Sequence, residues 1–80
     1  MKLTKTSMDL TVVFDDGEFE GRTVVFKGER LINRRFLAYA DSICQVVPVE
    51  KELSEEEQVK MIKAIEKYCE TSETKIEFED

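Results

Sequence analysis

The sequence predicts an α+β fold: a mostly antiparallel sheet of four to five strands with one long helix packed on one face, in the order β-β-β-(β)-α-β. Three observations lead there. Residues 54–71 carry the one long pattern of helical period, and the segments 8–14 and 75–79 alternate apolar and polar residues as half-buried strands do. The chain has 80 residues, 41% of them apolar, which suits one small domain with one core. A chain this short buries only roughly 60% of the surface its unfolded form exposes, so each large apolar residue counts.

The first strands are read from their alternation. An extended stretch, 2–6, leads into Met8, Leu10, Val12 and Phe14, which alternate with Asp9, Thr11 and Val13 and point to the core. Asp15, Asp16 and Gly17 tolerate left-handed backbone angles, and apolar content resumes at Phe19 and over residues 23–26, which predicts a β-hairpin. A calcium loop is excluded at these aspartates, because the oxygen ligands are wrongly spaced and no bidentate glutamate follows at the required offset. With Phe19 inward, regular alternation would bury Val25 rather than Val24 and Phe26. A bulge near Gly21 shifts the register by one and resolves the conflict.

Further along, Lys27-Gly28-Glu29-Arg30 reads as a turn, followed by Leu31, Ile32 and a basic corner at Asn33, Arg34 and Arg35. Residues 36–40 are apolar on both sides and predict a third strand, either central in the sheet or covered on its second face. Asp41, Ser42 and Ile43 break it. Ser42 is a turn serine, since no histidine, Gly-x-Ser-x-Gly elbow or Ser-x-x-Lys accompanies it. Val46, Val47 and Val49 are an optional short strand, and Pro48, lacking a donor, confines that segment to an edge or an irregular path. Leu53 then drops into the core.

The helix has a clear start. Ser54 stands at the N-cap, Glu57 completes a capping box, and Glu55, Glu56 and Glu57 set negative charge against the positive end of the helix dipole. Met61, Ile62, Ile65, Tyr68 and Cys69 share one side with Val59 at its margin, while Lys60, Lys63, Glu66, Lys67 and Glu70 take the other. After a loop at 72–74, a last strand over 75–79 turns Ile76 and Phe78 inward.

Several function classes fall away. The chain has no histidine, the commonest general base and metal ligand, and its two cysteines, Cys44 and Cys69, lack the CxxC spacing of redox or zinc sites. Reduced thiols, no metal, no cofactor and no enzyme activity are expected. No apolar run nears the ~20 residues that span a bilayer, and the first residues lack the apolar segment of a signal peptide, so a cytoplasmic protein without a membrane partner is expected. The net charge of −6 is unevenly spread: residues 1–40 carry seven basic and six acidic residues, residues 41–80 five and twelve. Nucleic acid is not an expected partner. Lys27, Arg30, Arg34 and Arg35 read as a solvated loop, with no interleaved aromatics to stack bases.

Gly21-Arg22-Thr23-Val24-Val25-Phe26-Lys27-Gly28-Glu29, then Phe36-Leu37-Ala38-Tyr39-Ala40-Asp41-Ser42-Ile43, then the Ser/Glu-started helix and Ile76-Glu77-Phe78-Glu79 together resemble the pattern of small bacterial immunity proteins of polymorphic toxin systems, specifically the immunity protein 74 family. The resemblance covers most of the chain in order. It implies a non-catalytic cytoplasmic inhibitor, made beside a secreted toxin, that binds the toxin domain and prevents self-intoxication.

An acidic binder matches the charge that nucleic acid would present to a basic nuclease, with association speeded by steering. The candidate contact residues are Glu50, Glu52, Glu55, Glu56 and Glu57 at the helix entry, joined by Glu77, Glu79 and Asp80 if the last strand ends nearby. A monomer or weak dimer is expected. Two other readings remain: a small regulatory or adaptor module that pairs a partner strand with the edge at Val46, Val47 and Val49, and an enzyme using two carboxylates alone.

Overall fold

A computed structural model describes residues 1–79. The chain runs β1 (Lys2–Lys5), β2 (Asp9–Val13), a 3-10 helix (Gly17–Phe19), β3 (Thr23–Arg30), β4 (Arg35–Tyr39), a 3-10 helix (Ala40–Ser42), β5 (Cys44–Val47), α1 (Glu55–Glu70) and β6 (Lys75–Glu79). The fold is α+β as expected, with one helix against a sheet that holds six strands rather than four to five. The order is β1-β2-β3-β4-β6, and β5 pairs with β3. The added strand is the stretch at 2–6, which pairs with β2 as a strand of its own, while β5 is the optional strand of the expected order.

The sheet is mixed. β1, β2, β3, β4 and β5 pair antiparallel, whereas β6 runs parallel to β4 with Phe36 opposite Ile76 and Ala38 opposite Phe78. Parallel neighbours need a long crossover, and β5, the loop after it and α1 supply it.

The eight-residue β3 is the central strand. One edge pairs with β2 from Thr23 to Lys27, and the other takes β5 at Thr23–Val25 and β4 at Gly28–Arg30. The expected turn at Lys27, Gly28, Glu29 and Arg30 is therefore strand. Gly28 stands there because backbone comes too close for a side chain: a Cβ would collide with the Leu37 carbonyl and sit 2.6 Å from the Phe36 ring. The chain turns later, where Asn33 and Arg34 adopt φ of 59° and 60° and the Leu31 N–H donates to the Arg35 carbonyl at 2.8 Å.

The expected bulge at Gly21 is also replaced. Phe19 lies in the 3-10 helix and Gly21 has φ of +89°, so the chain breaks out of extended geometry before β3 and the alternation restarts at Thr23. Val24 and Phe26 are buried beside Phe19 without any shift inside the strand. The sheet's irregularity lies on β5, where Thr23 faces Val47, Val24 faces Gln45, and Val46 is extra.

Ser42 closes the gap between β4 and β5. The Lys27 N–H donates to its Oγ at 2.8 Å and its hydroxyl donates to the Tyr39 carbonyl at 2.6 Å, so a β3 donor that faces neither strand is satisfied.

One hydrophobic cluster joins Leu10, Val12, Val24, Phe26, Phe36, Ala38 and Ile76 of the sheet to Met61, Ile65 and Cys69 of α1, with Phe14 and Phe19 closing one end. Leu53, Ile62, Ala64 and Phe78 pack against it half-buried. Two expected core residues are not in it: Met8 is 67% exposed in the turn before β2, and Tyr68 on α1 is 41% exposed, because the buried stripe is narrowed to Met61, Ile65 and Cys69; Val59, expected at the margin of that stripe, is 52% exposed.

Candidate interaction surface

The helix entry is built by local rules. The Glu57 N–H donates to Ser54 Oγ at 3.1 Å and the Ser54 N–H donates to Glu57 Oε1 at 3.2 Å, completing the capping box. Glu57 also receives the Arg22 guanidinium at 2.6 Å, on a side where Arg22 lies 5.5 Å from the centre of the Phe19 ring. The Ser54 backbone donor first, then Arg22, hold the Glu57 carboxyl below its ordinary range. The spacing of Ser54 and Glu57 announces the cap, whereas nothing in the sequence links Arg22 to Glu57.

The eight expected contact residues therefore separate. Glu57 is half-buried and committed to the cap and to Arg22. Glu50, Glu52, Glu55 and Glu56 are exposed where β5 passes into α1, with Glu56 3.4 Å from Lys60. Glu77 and Glu79 are elsewhere: they face away from the helix, opposite Leu37 and Tyr39, and Glu77 is paired with Arg35 at 2.6 Å. Glu29 and Glu79, with some burial between, push the Tyr39 hydroxyl pKa up. The strand-end acids thus share no face with the helix-entry acids, and Asp80 lies outside the described residues.

Gln45 shapes the segment that carries Glu50 and Glu52. It is the buried polar residue of β5, and its Nε2 donates to the Pro48 and Lys51 carbonyls at 3.0 and 2.9 Å. That clamp folds the loop back and leaves Val47 and Val49 in solvent. β5 is short, bulged at Val46 and followed by Pro48, so its free edge offers little ladder to an incoming strand.

The basic corner of Lys27, Arg30, Arg34 and Arg35 is taken up by local partners. Lys27 pairs with Asp9 at 2.9 Å, Arg34 with Glu73 at 2.9 Å and Arg35 with Glu77, while Arg30 donates to the Lys5 carbonyl at 3.4 Å. A shallow groove of about 500 Å³ between the first 3-10 helix and α1 is lined by Phe14, Phe19, Lys60, Lys63, Ala64 and Lys67. Lys60 spans it to Glu18 at 3.4 Å, and the adjacent Glu56 raises the Lys60 pKa. Among the described residues no group of three or more His, Cys, Asp or Glu is placed to hold a metal, and no helix is long and apolar enough to cross a membrane.

The face of the sheet away from α1 is open, and the register divides it. Toward β4 and β6 it carries Asp9, Lys27, Glu29, Arg35, Lys75, Glu77 and Glu79 around half-buried Leu37 and Tyr39, and toward β1 it carries Lys2 and Thr4. Toward β5, Thr11, Val25 and Cys44 form one cross-strand row and Val13, Thr23 and Val47 the next. Sequence reasoning passed over this block because it looked only at the inward residues of β2 and β3, although the same alternation specifies both faces.

What these features define is a class: a small acidic α+β protein whose distinctive surfaces suit binding. Among protein-family models, Immunity protein 74 matches residues 16–79, and the chain belongs to that family. Neither the curated proteins nor the solved structures contain a match to it.

Proposed function

We propose that the protein is a non-catalytic immunity protein that binds and neutralises a cognate secreted toxin domain in the bacterial cytoplasm. Family membership over residues 16–79 is the observation that carries this reading. The charge distribution supports it: Glu50, Glu52, Glu55 and Glu56 stand exposed in consecutive segments at the helix entry, where they add to the pull on a basic partner such as a nuclease. Glu57 is left out of this surface because the cap and Arg22 already hold it. Glu77 and Glu79 are left out because they lie on the open face, and Glu77 is paired with Arg35.

Co-expression tests the proposal. Cells making the toxin domain encoded beside this protein should grow when it is present and stop when it is absent, and the protein should give no protection from unrelated toxins. Equal growth arrest with and without it would remove the assignment.

A further inference from the structure

We propose that the toxin is gripped by the uncharged block of the open sheet face, Thr11, Val13, Thr23, Val25, Cys44 and Val47, and that the occupant is a protein surface with an apolar centre and a basic border. The proposal rests on the toxin-binding function above and names where packing, as opposed to steering, takes place.

The first support is the register. Thr11–Val25–Cys44 and Val13–Thr23–Val47 are adjacent rows across β2, β3 and β5, so the six side chains form one contiguous area. None is charged in a chain that is 38% charged, and the rest of the same face is studded with ions. Depletion of charge at the centre with charge at the rim is how protein interfaces are composed. Five of the six are β-branched and the sixth, Cys44, has a single heavy-atom side-chain torsion, so docking orders few rotamers and costs little side-chain entropy.

The second support is the border. All three strands reach the same end of this block and run toward acids there: β2 leaves Val13 toward Asp16, past Asp15, which the terminal amine holds, β3 enters Thr23 three residues after Glu20, and β5 leaves Val47 toward Glu50 and Glu52; against these stand Lys2 of β1, opposite Val13, and Lys51, so the border is acidic on balance. The partner's border must then be basic. A second copy of this chain is disfavoured because two molecules of net charge −6 repel one another. Strand addition at β5 is disfavoured by the bulge at Val46 and by Pro48.

Cys44 provides a reporter in the unmodified protein. It is exposed within the block, whereas Cys69 is buried under α1 and burial pushes its thiol pKa up. N-ethylmaleimide should modify Cys44 quickly and Cys69 slowly in the free protein. In a complex with the toxin domain encoded by the adjoining gene, Cys44 labelling should slow at least tenfold while Cys69 stays unreactive. Replacing Thr11→Gln and Val47→Gln together, which adds bulk without charge, should speed dissociation at least tenfold and leave the association rate and thermal midpoint near wild type.

The proposal is overturned if the complex forms and Cys44 labels at its free rate, or if the double variant dissociates as slowly as the parent. Protection of Cys44 that rises with protein concentration alone, with a dimer in sedimentation, would assign the block to self-association instead. No complex between the wild-type protein and that toxin domain is a separate result that removes the function proposed above and this inference with it.

Discussion

Arg22 and Glu57 join the residue before β3 to the first turn of α1 through a 2.6 Å ion pair whose carboxylate also caps the helix. This gives a pH dependence with a definite sign. Glu57 has its carboxyl pKa lowered by folding, so its contribution to stability is fully present above the ordinary glutamate value of 4.5 and is lost as pH falls below that toward the lowered value. Glu57→Gln should flatten the acid limb of a urea-midpoint titration from pH 7 to pH 2, leaving the part due to Asp15, which its contact with the terminal amine likewise holds low. An acid limb as steep as the parent's would contradict this. Ser54→Ala should cost about 1 kcal/mol by leaving a first-turn donor unpaired, and Gly28→Ala about 1–3 kcal/mol by forcing β3 from β4. Both are read from chemical denaturation. At this scale Ser54 and Glu57 were legible because capping is local. Gly28 was not, because a glycine needed for close approach looks in sequence like one needed for a turn.

The helix is the element on which the packing depends, and it was predicted nearly to the residue: 54–71 against Glu55–Glu70 with Ser54 as N-cap. A start signal and a 3.6-residue stripe are properties of the segment alone. Tyr68 was assigned too generously because the width of a buried stripe is decided by what it packs against, which periodicity does not report. Ile65→Ala should open a cavity under the helix and cost roughly 2–5 kcal/mol, enough to leave so small a domain largely unfolded at moderate denaturant. A change below about 0.5 kcal/mol would mean the helix does not pack on the sheet. The strands were legible where one face is core and one is water, as in β2 and β6. β3 was ended at Phe26, with Lys27-Gly28-Glu29-Arg30 read as a turn, and β5 was placed two residues late because Cys44 and Gln45 carry no strand signal of their own: Gln45 is buried to clamp the Pro48 and Lys51 carbonyls.

Whole-molecule features depend on which strands meet, and a single sequence reports that least. The parallel pairing of β4 with β6 arises from the crossover through α1, and it sets Glu77 and Glu79 on the open face, apart from the helix entry. The acidity of the second half was plain from composition, but its division between a helix entry and a strand row was not. On the proposed function the two surfaces would have separate kinetic roles, the exposed carboxylates at the helix entry in steering and the uncharged block in holding the partner. Steering by charge is screened over about 8–10 Å at physiological ionic strength, so it appears in the association rate and its salt dependence, whereas packing appears in dissociation. The most direct measurement is therefore the association rate of the purified protein with the toxin domain encoded beside it, as a function of salt, for the wild type and for Glu50→Lys, Glu52→Lys and Glu56→Lys combined. The account predicts a tight one-to-one complex whose association is slowed by the triple reversal and loses most of its salt dependence, with dissociation little changed. An unchanged association rate with the same salt slope would exclude the helix entry as the steering surface, and no complex with the wild type would contradict the account as a whole.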